Sequence, residues 1–311
     1  MSRLPAIAKT VGVVFVAGSL VFLGHALLEH RSDLAGWRPS AGVLAGLTAL
    51  ALAYGAALYL LAEGWHRIVG LFGPEPRSRS WPSYTGTLVA RYLPGNVAHV
   101  IGHAVWLRGG PLSKADLTRA SVLELIVTPM GAMLALLLLL PVLPVGGIAE
   151  ALGTTVAAIW TGIALGVGLA GFGMSLLLRR KAKGLALRAV LAPVCLATLF
   201  MLVFAGIFAA VLQLVAETSV VLSMAVGIAA WVAGYATPGA PGGIGTREAL
   251  IAALLGGASA SADVLLGALV FRVVTTVGEL ACFGSGFVLS RVRRRGKAAE
   301  KKGRLGSAHT V

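Results

Sequence analysis

The sequence predicts an all-α, polytopic membrane protein: about six transmembrane helices plus two re-entrant broken-helix hairpins in an inverted repeat. Three observations predict it. The 311 residues are 57% hydrophobic and 12% charged, with mean hydropathy +0.88, outside the composition of soluble globular chains. Several apolar stretches are long enough to cross about 30 Å of hydrocarbon at about 1.5 Å per residue. Two further apolar segments are broken in the middle by proline and glycine, and both carry charge. Inside a bilayer, non-helical backbone persists only where protein or a wet cavity covers it.

The elements follow in chain order. An apolar run over 6–28 sits behind Arg3 and Lys9. It is too long for a signal-peptide core and ends in Glu29-His30-Arg31 rather than a cleavage site, so it is expected to be the first span. Further spans are expected over 41–63, 119–140, 150–178, 188–213 and 263–290. The first broken segment covers about 82–108 and turns at Pro94 and Gly95. The second covers about 220–256 and turns through Pro238, Gly239, Pro241, Gly242, Gly243 and Gly245. Each is expected to be two half-helices meeting near the midplane. Gly42 with Gly46, and Gly162 with Gly166, have the small-x-x-x-small spacing of close helix packing. Cys195 and Cys282 lie in apolar stretches without metal or redox spacing and are expected to be inert buried thiols.

Basic residues set the sidedness. A net charge of +14 would suit nucleic acid, but most of the 26 Lys and Arg residues gather in short loops on one side and in the tail. They include Arg67, Arg77, Arg79, Arg108, Lys114, Arg119, the run from Arg179 to Arg188, and the tail from Arg291 to Arg304; Arg31 and Arg38 fall on the other side. This is the positive-inside pattern of a multi-pass cell (inner, cytoplasmic) membrane protein with both termini cytoplasmic, not of a nucleic-acid binder. It requires the two hairpins to enter from opposite faces. Residues 1–145 and 146–290 then form two halves of opposed orientation, followed by a basic, disordered tail over 291–311. Tyr92-Leu93-Pro94-Gly95 is faintly echoed by Tyr235-Ala236-Thr237-Pro238-Gly239.

Arg91, Arg247 and Arg272 fall at membrane depth. A charge there costs at least about 2.5–3.5 kcal/mol, so it faces a partner or a cavity. One reading is a cationic pocket for an anionic group, most naturally phosphate, which guanidinium grips bidentately. The other is structural pairing, Arg91 with Glu124 and Arg272 with Glu279 or Glu248. The string from Pro241 to Gly245 opens a half-helix near Thr246 whose free N–H groups suit an anion. Asn96, His99 and His103 share one helix face and line the cavity as polar groups or hydrogen-bond across helices. No third ligand accompanies the histidines, so no metal and no other cofactor is expected.

At these residues the chain resembles the lysylphosphatidylglycerol synthase/flippase transmembrane family, in its stand-alone, flippase-like form. The resemblance rests on R-Y-L-P-G-N at 91–96, Glu124 in A-S-V-L-E, P-G-G-I-G-T-R-E at 241–248, and F-R at 271–272. It implies translocation of a phosphate-bearing lipid between leaflets, with Pro94, Gly95, Glu124, Pro241, Gly242, Gly243, Gly245, Glu248 and Arg272 carried over by motif. Asn96 stands where members often have a basic residue, and Leu125 where an Arg is common. The soluble aminoacyl-transferase domain of longer members is absent from this sequence.

The expected function is therefore a non-enzymatic lipid flippase. It would move an anionic phospholipid or a polyprenyl-phosphate carrier, with Arg91, Asn96, His99, His103, Glu124, Arg247, Glu248 and Arg272 at the headgroup. Expected partners are the membrane lipid and enzymes of envelope biosynthesis. The alternatives are a membrane-embedded glycosyl- or phosphotransferase, against which the lack of any D-x-D and the isolation of Asp116 and Asp263 count, and a non-transporting scaffold of polysaccharide assembly.

Overall fold

The computed structural model describes residues 36–92, 98–143, 154–178, 187–216, 218–236, 246–255 and 262–307. Every long element among them is an α-helix. These are α1 (Ala41–Gly70), α2 (Arg77–Thr85), α3 (Ala98–Trp106), α4 (Lys114–Leu139), α5 (Val156–Leu178), α6 (Leu187–Leu212), α7 (Val220–Ala236), α8 (Thr246–Leu255) and α9 (Ala262–Ser307). Short 3-10 turns occupy Leu88–Tyr92 and Leu140–Val142. The expected span over 6–28 and both Pro/Gly breaks lie outside the described residues. Asn96, Pro94, Gly95, Pro238, Gly239, Pro241, Gly242, Gly243 and Gly245 go with them.

Four helices are long and apolar enough to cross a membrane: Ala41–Gly70, Lys114–Val142, Val190–Leu212 and Asp263–Gly286. They match four of the expected spans. α1, with 30 residues, is about 45 Å long, more than the hydrocarbon core requires. The span expected over 150–178 is represented by α5, whose described apolar stretch, Thr161–Gly173, is shorter. Serine starts two of the spans. Ser40 accepts from the Val43 N–H ahead of α1, and Ser113 from the Asp116 N–H ahead of α4. Each satisfies a donor that the first helical turn leaves open.

α6 is the central helix and touches α1, α4, α7 and α9. It buries Phe200, Met201, Phe204, Phe208 and Leu212. Outward-facing positions are also apolar, with Leu52, Leu138, Leu165, Leu169, Phe172 and Val273 all exposed, as befits helices with lipid on their outer face. Between such helices apolar burial gives little drive, because lipid tails are as apolar as leucine, and close van der Waals contact holds them together. The closest approach joins α1 to α9. A Cβ on Gly55 would lie 2.7 Å from the Gly278 carbonyl oxygen, and one on Gly278 only 2.5 Å from that of Ala51. The glycine pairs singled out by spacing do not serve this purpose among the described residues. Gly46 and Gly162 meet nothing within 4 Å, Gly42 only the nearby Ser40 hydroxyl, and Gly166 only the Met133 side chain. Spacing marks glycines that share a helix face, not a face that meets another helix.

Three other expectations change. α9 continues to Ser307, so the basic segment expected to be disordered is helical as far as that residue. Alanine, lysine, arginine and glutamate there favour helix. Cys195 is exposed, on an outward face of α6, whereas Cys282 is buried as expected. Arg77 and Arg79 belong to α2 rather than to a bare loop. Glu63, near the end of α1, accepts from Arg67 Nε (2.7 Å), Arg77 Nε (2.9 Å) and Nη2 (2.7 Å), and Trp81 Nε1 (3.1 Å). That clamp fixes α2 against α1 and so positions the 3-10 turn carrying Arg91.

Candidate functional site

A cavity of about 110 Å³ lies among the helices, lined by residues of α1–α4 and α6–α9 and of the 3-10 turn. It has room for several waters or one phosphate-sized group. Its wall combines aromatic side chains with three arginines, three glutamates and a histidine: Arg91, Arg247, Arg272, Glu124, Glu248, Glu279 and His99. Six of the eight residues expected at a headgroup are therefore brought together on one surface. His103 is buried behind that wall rather than on it, and Asn96 is outside the described residues.

The ion pairs differ in part from those expected. Arg91 does not pair with Glu124. Its Nη1 lies 3.6 Å from Glu279 Oε1, and its Nη2 donates to the Tyr84 hydroxyl at 2.7 Å. The Tyr54 hydroxyl also donates to Glu279, at 3.3 Å. Spacing along the chain does not say which helix stands opposite Arg91, and α9 packs beside the 3-10 turn. Arg272 pairs with Glu248, one of its two expected partners, at 3.0 Å. Glu124 Oε1 instead lies 3.3 Å from His103 Nε2.

His103 is packed between rings, and only its Nδ1 is hydrogen-bonded. Its ring stacks on Tyr84 with centroids 4.8 Å apart and meets Trp65 at 5.2 Å, and Nδ1 hydrogen-bonds to the Thr87 hydroxyl. His99, one helical turn earlier, meets it edge-on at 5.5 Å. The shared face expected for the two histidines is therefore formed, with His99 at the cavity and His103 in the wall.

Arg247 differs from the other two arginines. Its guanidinium sits 6.0 Å over the Trp231 ring, and its buried Nε has no hydrogen-bond partner. His99 Nδ1, His103 Nε2 and Glu124 Oε2 are likewise buried without a hydrogen bond. Buried polar atoms left in this way are uncommon.

Sequence reasoning missed the aromatic half of the site. Tyr54, Tyr84, Trp231 and Tyr235 line the cavity with Phe200, Phe204, Phe208 and Phe271. One signal was legible. Pro129 within α4 has no N–H, so the carbonyl four residues earlier, on Leu125, loses its helical donor. The Tyr235 hydroxyl supplies the replacement at 3.0 Å, tying α7 to α4 at the cavity wall. Among the described residues no group of three or more His, Cys, Asp or Glu could hold a metal. Asp116 lies in the first turn of α4, where its N–H donates to the capping Ser113 hydroxyl and its Oδ1 stands 3.3 Å from Arg119 Nη1.

Comparison of the chain with protein-family models, with curated proteins and with solved structures finds no match.

Proposed function

We propose that this protein is a lipid flippase that moves an anionic, phosphate-bearing lipid between leaflets, consistent with its resemblance to the lysylphosphatidylglycerol synthase/flippase transmembrane family. The observation that carries the reading is the cavity itself. Three guanidiniums from distant parts of an apolar chain, Arg91, Arg247 and Arg272, converge on one aromatic-walled space. Burying three guanidiniums is costly unless they are paired or serve a ligand. Arg247, over Trp231 with an unpartnered Nε, is the group best placed for an incoming phosphate.

The proposed architecture is the one expected from sequence: six spans, two re-entrant hairpins entering from opposite faces, and cytoplasmic termini in a cell membrane. α3 and α8 each begin just after one of the Pro/Gly segments and each contributes to the cavity. That is where discontinuous helices place binding sites in transporters built from inverted repeats. Rocking of the two halves around the cavity would expose the headgroup to each side in turn while its acyl chains stay in lipid.

The test is translocation of fluorescent phosphatidylglycerol in proteoliposomes. Charge-assisted hydrogen bonds contribute about 1.5–3 kcal/mol, so Arg247→Gln is expected to slow translocation by roughly 10- to 100-fold at unchanged thermal stability. Wild-type rates in a folded Arg247→Gln protein would remove Arg247 from the headgroup site. Absence of translocation by the wild type itself, across a panel of anionic lipids, would overturn the flippase reading.

A further inference from the structure

Resting on that reading, we propose that the Glu124–His103 pair takes up one proton when an anionic headgroup binds, so that the cavity binds anion and proton together. The starting point is charge balance. The cavity groups comprise three guanidiniums, on Arg91, Arg247 and Arg272, and three carboxylates, on Glu124, Glu248 and Glu279. With its histidines neutral the site carries no net charge. A singly charged phosphodiester entering it leaves one uncompensated negative charge in an apolar surrounding, which is expensive unless something neutralises it. One proton does so.

The geometry says where that proton goes. Glu279 faces Arg91 and accepts from Tyr54, and Glu248 faces Arg272. Each of these two carboxylates already faces a positive charge. Glu124 has no guanidinium partner among the described residues; it faces the His103 imidazole at 3.3 Å. Its second oxygen is buried on the cavity wall without a hydrogen bond. An imidazole is the side chain whose unperturbed titration lies nearest neutral pH. His103 is wholly buried, its other nitrogen is engaged by Thr87, and its Nε2, 3.3 Å from Glu124 Oε1, makes no hydrogen bond, so a proton placed there would have the carboxylate as its acceptor.

The titratable and charged groups facing the pair come from every neighbouring element. Tyr84 of α2, Arg91 of the 3-10 turn, His99 of α3 and Tyr235 of α7 stand closest, with Tyr54 of α1, Arg247 and Glu248 of α8, and Arg272 and Glu279 of α9 across the cavity. His99, whose Nδ1 is also unpartnered, is the competing proton acceptor. It stands on the cavity wall with Arg91, has no carboxylate beside it among the contacts described, and meets His103 edge-on.

The experiment is calorimetric titration of the purified full chain with short-chain phosphatidylglycerol from pH 6 to 9, in pairs of buffers with different protonation enthalpies. The expected result is uptake approaching about one proton per lipid, with affinity falling by up to about tenfold per pH unit as pH rises. Glu124→Gln fixes the neutral form of the carboxyl, so its uptake is expected to vanish and its affinity to become flat with pH. His99→Gln is expected to retain the proton uptake of the wild type, whatever its effect on affinity. Lipid binding by the wild type without proton uptake overturns this proposal while leaving the flippase reading intact, and it does so even if Glu124→Gln fails to fold. Uptake that survives Glu124→Gln, or that disappears in His99→Gln, overturns it as well. No binding of lipid at any pH overturns both readings together. Inorganic phosphate as a second probe separates the sources of the anion: equal affinity and equal proton uptake without acyl chains sustains the proton coupling and removes the lipid.

Discussion

Arg247 and Arg272 lie on neighbouring helices and line the same cavity, yet removing them has different consequences. Arg272 is held by Glu248 at 3.0 Å, so truncating it leaves a partly buried carboxylate without that partner. Arg272→Ala is expected to lower stability, and Glu248→Ala in the same chain to restore part of it, with a coupling of about 0.5–3 kcal/mol in a double-mutant cycle. Additive effects of the two substitutions in thermal unfolding would mean that the pair contributes nothing. The three arginines of the cavity could be singled out in the sequence because charge in an apolar run has few explanations. Their partners were not. Glu279 and Glu124 were both visible as acids, but the choice between them depends on which helix faces which. One-dimensional spacing carries no information about that.

At the scale of elements, the loop between α1 and α2 holds a testable conflict. Glu75 is buried, neither of its oxygens is hydrogen-bonded, and Arg79 Nη1 stands 3.4 Å away. Burial pushes its carboxyl above the ordinary range, and the nearby Arg79 only partly opposes this. Because the folded-state value is raised, the protonated form is favoured on folding. Its contribution to stability is greatest at acid pH and is lost as pH rises through the folded-state value. Glu75→Gln is therefore expected to raise the unfolding temperature at pH 7 and to leave it unchanged near pH 4; a loss at pH 7 would show that the Arg79 contact outweighs burial. The α1–α9 crossing is the second element-scale feature. Gly278→Ala forces a Cβ to within 2.5 Å of a carbonyl oxygen and is expected to cost about 1–3 kcal/mol. Thermal unfolding at wild-type temperature would show that the helices separate freely. Hydropathy located both helices but not this contact, since glycines at lipid-facing and helix-facing positions look alike in sequence.

For the whole molecule, the helical class and four of the spans were legible from hydropathy alone, because length and apolarity are properties of the chain itself. The distribution of lysine and arginine adds a prediction about sidedness. In a cysteine-free background, Ser307→Cys is expected to react with impermeant reagents only from the cytoplasmic face, and Pro39→Cys only from the opposite face. Labelling of both from one face would overturn the opposed-halves arrangement. The glycine contact between α1 and α9 matters beyond stability. Tyr54 adjoins Gly55, and Glu279 adjoins Gly278, so this close backbone approach is one residue from the Tyr54–Glu279 hydrogen bond and the Arg91–Glu279 pair. A methyl group added at this seam would therefore act as a wedge on the binding chamber, moving its acidic residue away from both partners at once. Under the proposed flippase function, loss of translocation by such a variant would trace to a misplaced charge rather than to a missing one.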